Sequence, residues 1–528
     1  MPVDDTRSHE ANRRTSRRMR QWPQYVIHSF SLWIMPKKMN QPDPNVPPRT
    51  GSKVDDAANT YVQRDKVTAP PAPDGIDPDN ASHLQRGLHD RHLQLIAIGG
   101  AIGTGLFMGS GKTIALAGPS IVLVYLIIGV MLFFVMRALG ELLLSNLSYK
   151  SFTDFCGDLL GPWGAFFVGW TYWLCWVVTG TADVVAIAAY MQFWLPDLPV
   201  WIPALACITL LLCLNVVHVA LFGEMEFWFA MVKIIAIVAL IITGAIMVGT
   251  GFMVPGSPPA SISHWWRNGG IFPNGVSGFF AGFQIAVFAF VGIELVGTAA
   301  AETHDPRRAL PRAINAIPIR ILVFYIGALL AIMAVTPWSS VSPDRSPFVA
   351  LFSLAGLPAA ASVINFVVLS SAASSANSGI FSTSRMLYGL GLHGQAPRAL
   401  TQLSARGVPG RGLLFSCTCL LFAVALIYWI PDVMKVFTLI TTVSALLFMF
   451  VWTMILLSYL QYRRTRQALH ASSSYPMPGG RLMCWVVLIF FAAILVMLWQ
   501  RPDTRAALCA TPIWFGVLAL AWWRVRRY

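Results

Sequence analysis

Four stretches of the sequence carry no charged residue: "SIVLVYLIIGVMLFFVM" (120–136), "IIAIVALIITGAIMVG" (234–249), "ILVFYIGALLAIMAV" (321–335) and "CWVVLIFFAAILVML" (484–498). A helix needs about 20 mostly apolar residues to cross the hydrocarbon of a bilayer, and each run lies inside a stretch of that order. Such stretches number about twelve on this length criterion. They fall near 94–114, 119–144, 162–194, 200–220, 226–250, 277–300, 315–337, 356–390, 411–430, 434–461, 482–500 and 508–524, numbered here as spans one to twelve. Only 12% of the 528 residues are charged and 56% are hydrophobic. A soluble protein has roughly 25% charged residues, so this chain lacks the polar residues to coat a water-facing surface. The expected fold is an all-α polytopic membrane protein.

Cytoplasmic loops carry an excess of Lys and Arg. With the N-terminus in the cytoplasm, the loop after span six holds Arg307, Arg308, Arg312 and Arg320. The loop after span eight holds Arg398, Arg406 and Arg411, and that after span ten Arg463, Arg464, Arg466 and Arg481. The chain ends with Arg524, Arg526 and Arg527, while the opposite loops have scattered cations such as Arg267, Arg345, Arg501 and Arg505. Both termini are therefore expected inside. The formal net charge of +14 is mostly topology plus the N-terminal segment. Arginines spread over separate loops do not form the single basic stripe of a nucleic-acid binder. Eight cysteines, among them Cys175, Cys207, Cys213 and Cys484 in or near apolar spans, show no C-x-x-C spacing and read as free thiols.

Residues 1–85 differ in composition, with "NQPDPNVPPRTGSKVDD" (40–56) and "APPAPDGIDPDN" (69–80). This Pro-rich, basic segment is expected to be a disordered cytoplasmic tail, followed by a membrane domain over 86–528. "RRTSRRMRQW" (13–22) resembles a twin-arginine signal, but the apolar run after it is short and contains Pro and His, which argues against a cleaved leader. Met39 is a rival start site.

The stretch "IAIGGAIGTGLFMGSGKTIALAGPS" (96–120) looks at first like a phosphate-binding loop. The spacing fails. Counting back from Gly111-Lys112-Thr113, the first glycine of a P-loop falls on Leu106, and the third glycine of a dinucleotide motif falls on Met108. The glycines at 99, 100, 103, 105, 109 and 111 lie instead in span one, where each costs up to about 1 kcal/mol relative to alanine in a helix. Unwound backbone at membrane depth is tolerated where it is buried in protein or lines a cavity. Gly103-Thr104-Gly105 is expected to break the helix. The freed N–H groups of the second half-helix would hold a carboxylate, and the carbonyl end of the first an ammonium. The alternative is close glycine packing between intact helices. Span six, "FAGFQIAVFAFVGIELVGTAAAE" (280–302), has Gly292 at mid-span with Glu294 two residues on. Breaks at spans one and six are corresponding positions in two five-helix halves, the sequence mark of an inverted-repeat transporter.

Ionisable residues inside spans are functional candidates by default. Lys233 lies about two turns into span five; it either snorkels to the cytoplasmic surface or couples transport to protons by losing and regaining one. Glu294 either relays protons or accepts from backbone amides freed by the break. Asp183, in "TGTADVVAIAAY" (179–190), faces either the bundle interior or a structural partner. Arg137 and Glu141 are expected to pair with each other. The histidines lie in the tail, loops or span ends, no set has metal spacing, and no G-x-S-x-G elbow occurs, so an enzyme is disfavoured.

"IAIGGAIGTGLFMGSG", "FVMRALGELL", "FAFVGIELVGTAAAE", "ALPRAINAIPIRI" and "SSAASSANSGIFSTSRMLYGLG" together resemble the amino acid transporter family of the amino acid–polyamine–organocation superfamily. The likeness runs from about 86 to 526, leaving out the long tail. It implies about twelve transmembrane helices in a bacterial inner membrane, arranged as a 5+5 inverted repeat with broken helices one and six plus two C-terminal helices. It implies proton-coupled uptake of small neutral amino acids, D-serine, D-alanine and glycine among them, with no cofactor beyond the proton gradient. By position, Gly103, Thr104 and Gly105 would hold the substrate carboxylate. Carbonyls near Ala101, Ile102, Phe288 and Val291 would receive its ammonium, Phe288 would gate the site, and Lys233 would match the family's intramembrane lysine with Ser374 and Ser375 facing it. An exchanger for aromatic, branched or cationic amino acids, and a nutrient-sensing receptor, are the competing readings. The oligomeric state is left open.

Overall fold

The computed structural model describes residues 102–526, apart from 150, 218, 254–257, 301–304, 405–406 and 431. Residues 1–101, which hold the tail, the first part of span one and Ala101, lie outside the described residues, so the expectations placed on them are carried no further by the fold. Every regular element among the described residues is helical, and ten helices are long and apolar enough to cross a membrane. Ile121–Ser145, Pro162–Met191, Val219–Gly249, Pro358–Leu392, Gly410–Trp429, Val433–Thr465, Gly480–Gln500 and Pro502–Val525 coincide with the apolar stretches read from sequence.

Local chemistry sets the ends of these helices. Asn146 leaves the helical region and stops Ile121–Ser145. Ser151 and Asp154 then form a reciprocal capping box that starts Phe152–Leu160, satisfying two amides that the first turn leaves without partners. Gly161, at φ +94°, ends that helix, and Pro162 opens the next, a position where its missing N–H costs nothing. Phe152–Leu160 is too short to register as a span, as is Pro347–Leu354. Span seven is entered through the amphipathic helix Pro306–Asn315 and contains a π-helical stretch, Ile321–Ile326.

Pro162–Met191 packs against both Pro358–Leu392 and Val433–Thr465 at the centre. Most residues of span six and of Pro162–Met191 and Val433–Thr465 are buried, whereas the last two helices bury only a minority of theirs. Leu482, Trp485, Ile489, Trp499, Ile513 and Leu520 on those two helices are exposed, a surface suited to lipid rather than water.

Arg137 and Glu141 do not pair. Glu141, fully buried, accepts from the Tyr459 hydroxyl (2.7 Å) and the Met477 amide (2.7 Å) and meets His470. Arg137 donates to Asn315 (3.1 Å) and to the Pro476 carbonyl, and lies over the Tyr475 ring. The segment after span ten folds back under the bundle and supplies partners that outcompete the helical neighbour. Glu141→Ala will therefore strip a charged acceptor from two buried donors and lower unfolding stability by about 3 kcal/mol. An unchanged thermal midpoint in detergent would refute this anchoring role.

Candidate substrate and coupling site

In span one the described helix begins at the glycines. Gly103 is extended (φ −127°, ψ −163°), and helix starts at Thr104–Phe107, followed by Gly109–Ala117. The Leu106 and Phe107 amides turn back to the Gly103 carbonyl (3.2 and 3.3 Å). The Thr104 and Gly105 amides have no backbone acceptor among the described residues.

Span six breaks where Gly292 predicts. Gly275–Ala286 runs into a 3₁₀ turn at Phe288–Phe290, Val291 is extended, and Gly292 sits at φ +94° before helix resumes at Leu295. That φ is open to glycine and strained for other residues. The Phe288 carbonyl already accepts from the Val291 amide (3.1 Å), while the Val291 carbonyl accepts no hydrogen bond among the described residues. The Ala289 carbonyl accepts from the Tyr325 hydroxyl (3.0 Å).

The start of the span-one helix abuts the break in span six. A Cβ on Gly105 would lie 2.6 Å from Ala289 Cα, 2.8 Å from its nitrogen and 3.0 Å from the Phe288 ring. Gly105 is thus a point of close backbone approach, a role its residue type allows. Phe288 is buried between that contact and Phe437, whose ring it meets edge-on at 6.1 Å. Around Gly103 there is room: the nearest atom to a built Cβ is Ser375 Oγ at 3.7 Å.

Span eight supplies hydroxyls to this junction. Ser371 donates to the Ile102 carbonyl (3.2 Å), which keeps one acceptor lone pair on that oxygen. Ser375 lies against Gly103 and beside Asp183. Ser374, about 100° round the helix, accepts from Lys233 Nζ (3.2 Å). Ser374 thus turns to the lysine, and Ser375 to Gly103 and Asp183. Asp183 is fully buried and accepts from the Thr104 hydroxyl (2.7 Å), holding the start of that helix. Its other oxygen has no direct hydrogen bond among the described residues.

Lys233 is 1% exposed, so it does not snorkel to a surface. Its serine partner in turn donates to Glu226 (2.8 Å), a buried carboxylate on the same helix. Glu226 escaped the sequence reading, although its spacing of seven residues from Lys233 repeats a helical face and was the available signal. Ser371 and Tyr325 were also missed, since hydroxyls inside apolar helices are usually bonded to their own backbone. Glu294 stands apart from this group. It is fully buried, both oxygens lack a direct hydrogen bond, and the Tyr172 hydroxyl and Trp452 indole neighbour it.

A helix start and an unwound helix meeting beside a buried lysine present backbone donors and acceptors, the equipment of a permease. The amino acid permease family model matches residues 92–528, and the chain belongs to that family. It is 67% identical over 439 residues to the D-serine/D-alanine/glycine transporter of Escherichia coli (strain K12), covering 83% of this chain and 93% of that one. It is 53% identical to the amino-acid permease AapA of Bacillus subtilis (strain 168), over 83% of this chain and 94% of that one. It is 43% identical to the DL-alanine permease SerP2 of Lactococcus lactis, with the same coverage. The protein is accordingly a multi-pass membrane transporter and not an enzyme.

Proposed function

We propose that the protein takes up small neutral amino acids, D-serine, D-alanine and glycine among them, together with protons, across a bacterial inner membrane with both termini in the cytoplasm. The observation that supports this reading is the junction of the span-one helix start at Thr104 with the broken span six, beside Lys233. The Thr104 and Gly105 amides, with Gly103, receive the substrate carboxylate; the carbonyls of Ala101, Ile102 and Val291 receive its ammonium, with the Phe288 carbonyl as a lesser acceptor. Phe288 closes over the bound molecule. Residues 86–528 carry this function, as two five-helix halves and two outer helices.

This set of groups addresses the backbone atoms of an amino acid and leaves little for a charged or large side chain, in keeping with a small neutral substrate. The names of the Escherichia coli and Lactococcus relatives support the substrate class, and tolerance of D-enantiomers rests on them. Proton coupling is supported by the burial of Lys233 and its hydrogen-bonded carboxylate partner, with Glu294 as a second buried acid.

Proteoliposomes will accumulate labelled glycine or D-alanine when an inward proton gradient is imposed. Both enantiomers of serine and alanine will compete, and aromatic, branched or cationic amino acids will not. Accumulation indifferent to the gradient would sink the coupling, and competition by arginine or phenylalanine would sink the substrate class.

A further inference from the structure

The hydrogen bonds at Lys233 have a direction. The lysine donates to Ser374 Oγ (3.2 Å), and the same hydroxyl donates to Glu226 Oε2 (2.8 Å). Asn377 Nδ2 reaches the other carboxylate oxygen (3.4 Å), and Asn215 Nδ2 donates to Asn377 Oδ1 (2.7 Å). All three members of the line are buried: Lys233 at 1%, Ser374 at 1% and Glu226 at 4% exposure. Spans four, five and eight thus hold a carboxylate in fixed orientation, one hydroxyl away from the lysine.

The charged side chains facing this line are Glu226 and Lys233 on span five and Asp183 on span three. Span eight presents Ser374, Asn377 and Ser378, and span four presents Asn215. Glu226 precedes Lys233 by seven residues, about 10 Å along a helix. In the orientation proposed above, that displacement is toward the cytoplasm.

We infer that Glu226 is the acceptor that takes the coupling proton from Lys233 on the cytoplasmic side, with Ser374 as the relay between them. This rests on the proton-coupled reading above. The Lys233 Nζ–H bond breaks and an O–H bond forms on Ser374 as that hydroxyl passes its own proton to Glu226 Oε2. The lysine is left a neutral amine, the serine is regenerated, and the glutamate becomes a neutral acid. An ion pair is replaced by two uncharged groups, so the net charge of the pair stays zero and no isolated ion is stranded there. The acid then loses its proton to cytoplasmic water as the bundle opens inward, and the lysine is reprotonated from the other side.

The test uses the full-length protein in proteoliposomes loaded with a pH-sensitive dye. Labelled D-alanine accumulation and internal acidification are recorded under an inward proton gradient, and counterflow exchange is recorded without one. Glu226→Gln is expected to cut accumulation and substrate-driven acidification about tenfold or more, while counterflow persists. Ser374→Ala keeps both charges and interrupts only the relay; it should cut accumulation in the same way, and Ser374→Thr should restore it. If counterflow falls in parallel with accumulation in both Glu226→Gln and Ser374→Ala, the residues anchor the fold and the inference is overturned. If wild type couples and Glu226→Gln couples equally well, the inference alone fails. If wild type itself shows no acidification, the proton-coupled reading fails first and takes this one with it.

Discussion

A Lys233→Met protein will exchange labelled for unlabelled substrate across a proteoliposome membrane but will not concentrate it under a proton gradient. Methionine matches the lysine stem in length and apolarity, so the packing of span five survives. What disappears is the one ammonium donating to Ser374. Without it, no group at this position can release a proton and recover it within a cycle. The substitution also strands the Glu226 carboxylate, which is 4% exposed; leaving a buried charge without its counter-charge costs about 3–5 kcal/mol. The single variant should therefore unfold at lower temperature than wild type, and Lys233→Met with Glu226→Gln should regain much of that loss. Undiminished gradient-driven accumulation by Lys233→Met would remove the lysine from the coupling mechanism.

Gly105→Ala is expected to abolish transport where Gly103→Ala only weakens it. The added methyl at 105 meets Ala289 Cα at 2.6 Å and its nitrogen at 2.8 Å. Backbone atoms of a neighbouring helix cannot rotate aside as a flexible side chain can. Overpacking of this kind costs about 1–3 kcal/mol, and here the strain falls on the junction that receives the substrate. At 103 the chain is extended and the nearest atom is a serine hydroxyl at 3.7 Å, so a methyl fits. Initial uptake rates and thermal midpoints of the two variants, measured side by side, check the contrast. Equal activity in both would show that the two helices are not in contact there.

The membrane architecture was open to reading because bilayer thickness imposes a length and an apolarity that few other segments meet. The break in span six and the helix start in span one were legible for a related reason: Gly103, Gly105 and Gly292 are expensive in an apolar helix unless backbone geometry demands them. Side-chain partnerships were less so. Arg137 and Glu141 are helical neighbours in sequence, but a loop more than 300 residues away gave each a better partner. Glu226 sits near a span end, where a carboxylate is usually solvated, and only tertiary packing reveals that it is buried. Gly105 looked like an amide donor; the Ala289 backbone pressed against it adds a steric demand that no local pattern encodes.

Tyr325 lies in the π-helical stretch of span seven and donates to the Ala289 carbonyl, on the same residue that presses against Gly105. Three chain segments are thereby clamped at a single peptide. Any rocking that carries one of them must drag the others, so entry and exit of cargo will be governed by a shared moving block instead of by independent flaps.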